Sequence, residues 1–277
     1  MKEFFFKAIT GCLLFIILIS MGLMFGLTLE NGFKWLNINF LTGFPSRIPS
    51  QAGILPPLAG TLWLFFLTLI IASVLGVGAT IYVHEIMKEG PMKKFLITGM
   101  DAINGIPSII FGLVAAEVAG RGLGLKNSLL TGASALAFLS LPAIFTGTRQ
   151  ALISLPAEIK QGMFAIGATK LQNIFMLVLP STYGMIITGI ILAMSRALGE
   201  AAPLIAVGAV AFSRYVPASP LDETTALPIQ IFVWASRPEK EFLQITSATI
   251  VVLITLVLLL NITGILIRYQ WRKKKVW

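Results

Sequence analysis

Two charges of opposite sign, Arg196 and Glu200, lie inside the apolar run from Tyr183 to Phe212, in the stretch SRALGEAAPL. At i and i+4 they share one helical face and can pair. Counted from Pro180, Arg196 lies about 24 Å along a helix rising about 1.5 Å per residue, past the middle of a bilayer. A charge at that depth costs a few kcal/mol, so both side chains are expected to face a bundle interior or a pathway. Two readings stand: a structural ion pair that orients the helix, or a guanidinium fork offered to an anion in transit, with Glu200 limiting how tightly it is held.

A second polar interruption, Asn104-Gly105-Ile106-Pro107-Ser108, falls in the apolar run from Phe95 to Ala119. Broken backbone at membrane depth is tolerated only where it is buried in protein or faces a cavity, so Asn104 and Ser108 are either a packing kink or part of a pathway. Asp101 and Glu117 lie near the ends of that run, within snorkelling reach of water, and are assigned structural roles. Other chemistries fail on the residues present. His84-Glu85 lacks the second histidine of a zinc-protease helix, and the single Cys12 supplies neither a disulfide nor a metal set. His84 is read as an ordinary interfacial side chain. Gly162-x4-Gly167 is followed by Ala168-Thr169, so it is no P-loop and an ATPase has to be a separate chain. An intramembrane enzyme would need a nucleophile–base pair that the spans do not offer.

The elements that must hold these residues are membrane spans. A chain of 277 residues with 56% hydrophobic and 12% charged residues reads as an all-α polytopic membrane protein with no room for a sizeable soluble domain. The net charge of +9 comes from basic residues in short loops and tails, where it sets topology rather than binding nucleic acid. Spans are expected at Ala8–Leu29 (a retained signal anchor), Leu58–Val83, Phe95–Ala119, Ser128–Thr148, the long run Tyr183–Phe212 breaking near Pro203, and Phe242–Ile267. Of the 21 Lys and Arg, thirteen fall on segments read as inner and seven on segments read as outer, which orients six spans with both termini cytoplasmic. The chain then divides into an N-terminal anchor and external loop (1–57), a transport domain (58–267) and a basic cytoplasmic tail (268–277).

Between the fourth and fifth spans lies a polar, amphipathic inner segment, LPAEIKQGMFAIGATKLQNIFMLVLP, residues 155–180. Pro156 suits the first position of a helix and Glu158 favours its dipole. Gly167 is the expected stop, and Thr169-x-x-Gln172 reads as a capping box opening a second helix, with Leu171, Ile174, Phe175 and Leu177 on an apolar stripe until Pro180 bends the chain. A helix–glycine–helix element at the membrane face, attached rigidly to two spans, suits docking into a groove of another protein.

The spacing resembles the EAA loop of ABC importer permeases, E-A-A-x3-G-x9-I-x-L-P. Here it reads Gln161-Gly162-Met163, three residues, Gly167, nine residues, Leu177-Val178-Leu179-Pro180, so the glycine and Leu-Pro anchors match and the triplet departs. FPSRIPSQAGILPPLAGTLWL, LGVGATIYVHE, NGIPSIIFG, LPAIFTGTRQALISLPAEI, AIGATK and ILAMSRALGEAAPL together resemble the PstA-type permease subunit of phosphate-specific ABC importers across residues 44–267.

The resemblance implies a type I ABC importer permease fold in the cell membrane, with no ATPase site or cofactor of its own. It implies a second homologous permease (PstC-type), two ATPase subunits (PstB-type) that bind ATP, and an external phosphate-binding protein (PstS-type). Arg196 and Glu200 stand in the family's R-A-x-G-E context and become the pathway pair for phosphate; Asn104 and Ser108, from the helix break, are the further pathway candidates. Glu158, Gln161, Gly162, Gly167, Ala168 and Thr169 become the surface coupled to the ATPase. The alternatives are a permease for sulfate, molybdate or phosphonate, or an ion-coupled secondary transporter with Glu200 as its proton site.

Overall fold

A computed structural model describes residues 2–274; Met1 and 275–277, the end of the basic tail, lie outside the described residues. Apolar runs of this length must close their backbone hydrogen bonds within themselves, and helix does so segment by segment. The described chain is accordingly helical, with a single isolated bridge between Ser128 and Glu223. Its helices are α1 (Lys2–Phe33), α2 (Ile38–Thr42), α3 (Leu55–Ile81), α4 (Pro91–Ile103), α5 (Ser108–Ala115), α6 (Leu129–Ile153), α7 (Ala157–Ala165), α8 (Lys170–Asn173), α9 (Leu179–Leu198), α10 (Ala202–Val207), α11 (Leu227–Ala235) and α12 (Lys240–Lys274). Three π-helical turns extend them: Tyr82–Ile86 after α3, Ala116–Gly122 after α5, and Ile174–Val178 between α8 and α9.

Among the described residues five helices are long and apolar enough to cross a membrane, or up to six if the bent pair Pro91–Ile103 and Ser108–Gly122 forms one span. The interruption expected within Phe95–Ala119 is there, and it is sharp: the two halves meet at 109°. Pro107 cannot donate the N–H that would continue α4 and pushes the residue before it out of helical geometry, so the chain turns rather than kinks.

The centre of the fold is α6, which packs against α3 on one side and α9 on the other. Small residues let these helices approach: Gly76 of α3 lies against Ile144, and Gly147 of α6 meets Gly189 of α9 backbone to backbone. Gly78, two residues on from Gly76, has nothing within reach of an added Cβ. In contrast α1 and much of α12 turn large apolar side chains outward, as helices bathed in lipid or covered by another apolar surface do.

The stretch between α10 and α12 carries a helix of its own. LPIQIFVWA forms α11, and its Trp234 is fully buried against Phe242 of α12 beside Phe40 and Ile54. Arg237 stacks over Phe242 and Phe212 there, so the outer end of the bundle has its own apolar core.

Candidate functional site

The long run Tyr183–Phe212 divides into α9 and α10, and the break falls near Pro203 as expected, at residues 199–201. Proline is tolerated in the first turn of a helix, where its missing N–H has no partner to lose, so Pro203 opens α10 and the interruption is displaced upstream. The last turn of α9 tightens, with Gly199 N–H donating to Arg196 O and Glu200 N–H to Ala197 O at 3.1 and 3.2 Å. Glu200 thus stands in the break itself, and Arg196 on the last turn before it.

Arg196 Nε lies 3.7 Å from Glu200 Oε1, an ion pair longer than a hydrogen bond, with the two side chains 59% and 27% exposed. Among the described residues no other group pairs with the guanidinium, and its side chain is more than half exposed. Behind it α9 is fastened to α12: the Ser195 hydroxyl lies 2.5 Å from Asn261 Oδ1, and Arg268 Nη1 donates to Thr188 Oγ1 at 2.7 Å.

The two broken elements meet. Gly112 of α5 sits so close to the Pro203 backbone of α10 that there is no room for a Cβ. Asn104 lies exposed in the α4–α5 break, and Ser108, half-buried, opens α5 one turn before Gly112. Neither side chain hydrogen-bonds to Arg196 or Glu200 among the described residues. Asp101 accepts from Thr146 at 3.5 Å and pairs with Arg149 at 3.5 Å, fastening α4 to the inner end of α6, while Glu117 pairs with Arg121 at 2.9 Å.

The inner segment 155–180 folds largely as its cap signals require. Pro156 is the N-cap residue of α7 rather than its first helical residue, and Glu158 lies in the first turn. Gly167 adopts φ +89°, and the helix closes with Gly167 N–H to Phe164 O at 3.0 Å and Ala168 N–H to Met163 O at 3.1 Å, a Schellman end. Thr169 Oγ1 accepts from Gln172 N–H while Gln172 Oε1 accepts from Thr169 N–H at 2.8 Å, completing the capping box.

Pro180 does not interrupt the helix. Residues Lys170–Leu198 form one continuous helix whose π turn, immediately before Pro180, absorbs the irregularity. Of the apolar stripe only Ile174 is buried; Leu171 and Phe175 are exposed.

No residue of α7 is buried. Gln161, Gly162, Gly167 and Thr169 are exposed, and an added Cβ at Gly162 would meet nothing. Ile159, Phe164 and Ile166 are exposed with them, Ile166 at 79%, and an apolar face on an otherwise polar projection marks a protein contact.

Sequence reasoning missed the polar cluster beneath it. Lys160 Nζ lies 2.6 Å from Glu85 Oε1, and His84 Nδ1 lies 3.5 Å from the same oxygen. Lys93 donates to His84 O at 3.3 Å and bonds Glu89 at 2.5 Å, which draws the Glu89 carboxyl below its ordinary range. Glu85 and Lys160 are 75 positions apart, so no local spacing announces the pair.

The family model for the binding-protein-dependent transport system inner membrane component matches residues 72–275. The chain belongs to this family of ABC importer permeases. It is 30% identical over 223 residues to a protein named probable ABC transporter permease protein YqgI of Bacillus subtilis, covering 80% of this chain and 75% of that one. It is 31% identical over 220 residues to a probable phosphate transport system permease protein PstA of Methanocaldococcus jannaschii, covering 78% and 75%. An inward-facing structure of the MetNI methionine ABC transporter shares its fold, with TM-score 0.63 at 18% identity over 76% of this chain and 93% of that one. This permease is therefore a multi-pass inner-membrane subunit without an ATPase domain, which works with an ATPase, a partner permease and a binding protein.

Proposed function

We propose that this permease is the PstA-type subunit of an ATP-driven inorganic phosphate importer, and that it forms one half of the translocation pathway by alternating access. The observation that carries the reading is the Arg196–Glu200 pair at a helix break, with the guanidinium more than half exposed. An uncompensated arginine in a low-dielectric pathway would trap a dianion, whereas one already half-neutralised at 3.7 Å can bind and release it. Relatives named as phosphate permeases, at 28–31% identity, support the choice of anion.

In this reading the chain crosses the membrane six times with both termini cytoplasmic, the bent pair α4–α5 counting as one span. Residues 1–57 are the anchor and external loop, 58–267 the transport domain and 268–277 the basic tail. Glu158, Gln161, Gly162, Gly167, Ala168 and Thr169 face an ATPase of PstB type, two copies per assembly, and Asn104 and Ser108 line the pathway. The partner permease is PstC-type and the binding protein PstS-type.

The test is ATP-driven uptake of radiolabelled phosphate by proteoliposomes holding the whole assembly, with sulfate and molybdate as competitors. Phosphate uptake unaffected by either competitor is expected. Equal uptake of sulfate would move the reading to another oxyanion.

A further inference from the structure

The first helix of the inner segment has no apolar anchor. α7 buries no residue, and it packs against α8 and the π turn Ile174–Val178. Its ends are a serine–proline junction, Ser154 to Pro156, and the left-handed Gly167, both places where a helix can swing. What holds it is Lys160. The ammonium reaches Glu85 Oε1 at 2.6 Å and Leu152 O at 3.4 Å, while the Lys160 carbonyl accepts from Asn173 Nδ2 at 3.4 Å. Glu85 and Lys160 are only 13% and 17% exposed, so their attraction is weakly screened, unlike that of a surface pair.

Glu85 belongs to the π turn that ends α3. Such a turn holds one residue more than an α turn and rotates the next stretch of chain by about 100°. A second π turn starts directly after Asn173, on the other side of the same cluster. The coupling segment is joined covalently to α6 and α9, and α3 packs on both of those helices.

We infer that Glu85 is a positioning residue for the coupling segment: through Lys160 it makes the inner end of α3 a third attachment point, so that movement of α7 reaches three spans of the bundle together. The pair persists through the transport cycle. Without it α7 pivots on Pro156 and Gly167, and hydrolysis at the ATPase is no longer converted fully into movement of α3. This inference rests on the reading of 155–180 as the ATPase-facing segment.

The experiment uses the complete assembly in proteoliposomes, measuring ATP hydrolysed per inorganic phosphate imported. Lys160→Met and Glu85→Gln are each expected to raise that ratio by about 3- to 10-fold. Lys160→Arg and the exchange Glu85→Lys with Lys160→Glu restore it towards the wild-type value, which a purely structural defect would not do. An unchanged ratio in Lys160→Met and Glu85→Gln, with uptake and hydrolysis falling in step or not at all, overturns the inference while leaving the coupling role of the segment in place. Wild-type uptake that proceeds without ATP hydrolysis overturns both. Should the single variants fail to assemble, Glu85→Cys with Lys160→Cys, bridged by a short thiol crosslinker, decides the matter. Uptake retained after bridging supports a lasting attachment, and uptake abolished by bridging but present before it refutes one.

Discussion

Ser195 and Asn261 face each other across α9 and α12, with the serine hydroxyl 2.5 Å from Asn261 Oδ1, in the position immediately before Arg196. Thr188 and Arg268 repeat the contact one heptad nearer the inner face, and Gly264 leaves room between the two for Ile191. Two polar contacts in antiparallel register fix the rotation of α9 and with it the position of Arg196. Interhelical hydrogen bonds in membranes contribute about 0.6 kcal/mol on average and up to about 1.7. Asn261→Leu should therefore lower the stability of the purified assembly by about 1 kcal/mol, read from thermal unfolding in detergent. Because rotation is loosened, a thiol reagent should also reach Met194→Cys, buried in the parent, faster in the Asn261→Leu background.

Arg196→Ala should abolish phosphate uptake while assembly and ATP hydrolysis continue, since among the described residues the guanidinium pairs with Glu200 alone. Full uptake by this variant would remove the pathway role from Arg196 and leave the structural ion pair as its reading.

Glu200→Gln separates binding from release. Loss of the neutralising carboxylate leaves Arg196 to hold the anion alone, and a charge-assisted contact is worth about 1.5–3 kcal/mol. The expected result is a lower KM for phosphate together with a turnover reduced by about 10-fold or more, measured as initial uptake rates against external phosphate. A raised KM would show that Glu200 assists binding instead.

Close approach between the broken helices predicts a contrast between two glycines. A Cβ at Gly112 runs into the Pro203 backbone, whereas one at Gly78 meets nothing. Gly112→Ala should destabilise by about 1–3 kcal/mol through overpacking and disturb transport, because the collision is at the junction carrying Ser108 and Glu200. Gly78→Ala should be neutral or stabilising by up to about 1 kcal/mol, as in any helix interior. Thermal unfolding of the two variants side by side checks both signs.

Legibility in the sequence depends on the range of the forces involved. Apolar runs marked α1, α3, α6 and α12 because length and hydropathy are local properties, and the ends of α7 and α8 were legible because caps are written within four residues. The break in the run Phe95–Ala119 was visible at Pro107, but its angle of 109° depends on what α4 and α5 pack against. The same holds for α11, whose LPIQIFVWA reads as an outer patch until Trp234 finds Phe242. The π turns, the Glu85–Lys160 pair and the Ser195–Asn261 contact join residues distant in the chain or depend on register, and no local pattern encodes them. Arg196 and Glu200 were legible for the opposite reason, since a charge in an apolar run stands out wherever its partner lies.

The inner segment offers a test of how much its geometry matters for coupling. Gly167 is held at φ +89°, where any residue with a Cβ is strained by about 1–2 kcal/mol, and the Thr169 cap is worth about 1 kcal/mol. Neither position has a neighbour to collide with, so substitution acts on the angle between α7 and the helix that begins at Lys170 rather than on packing. Gly167→Ala and Thr169→Ala should leave the spans intact and reduce the ATPase recovered with a tagged permease, with the double variant lower than either. Gly167→Asn, whose side chain tolerates the left-handed region, should recover most of the loss. If Asn fared no better than Ala, the glycine would be needed for contact with the ATPase surface and not for the turn, and the exposed Ile166 beside it would become the next residue to change.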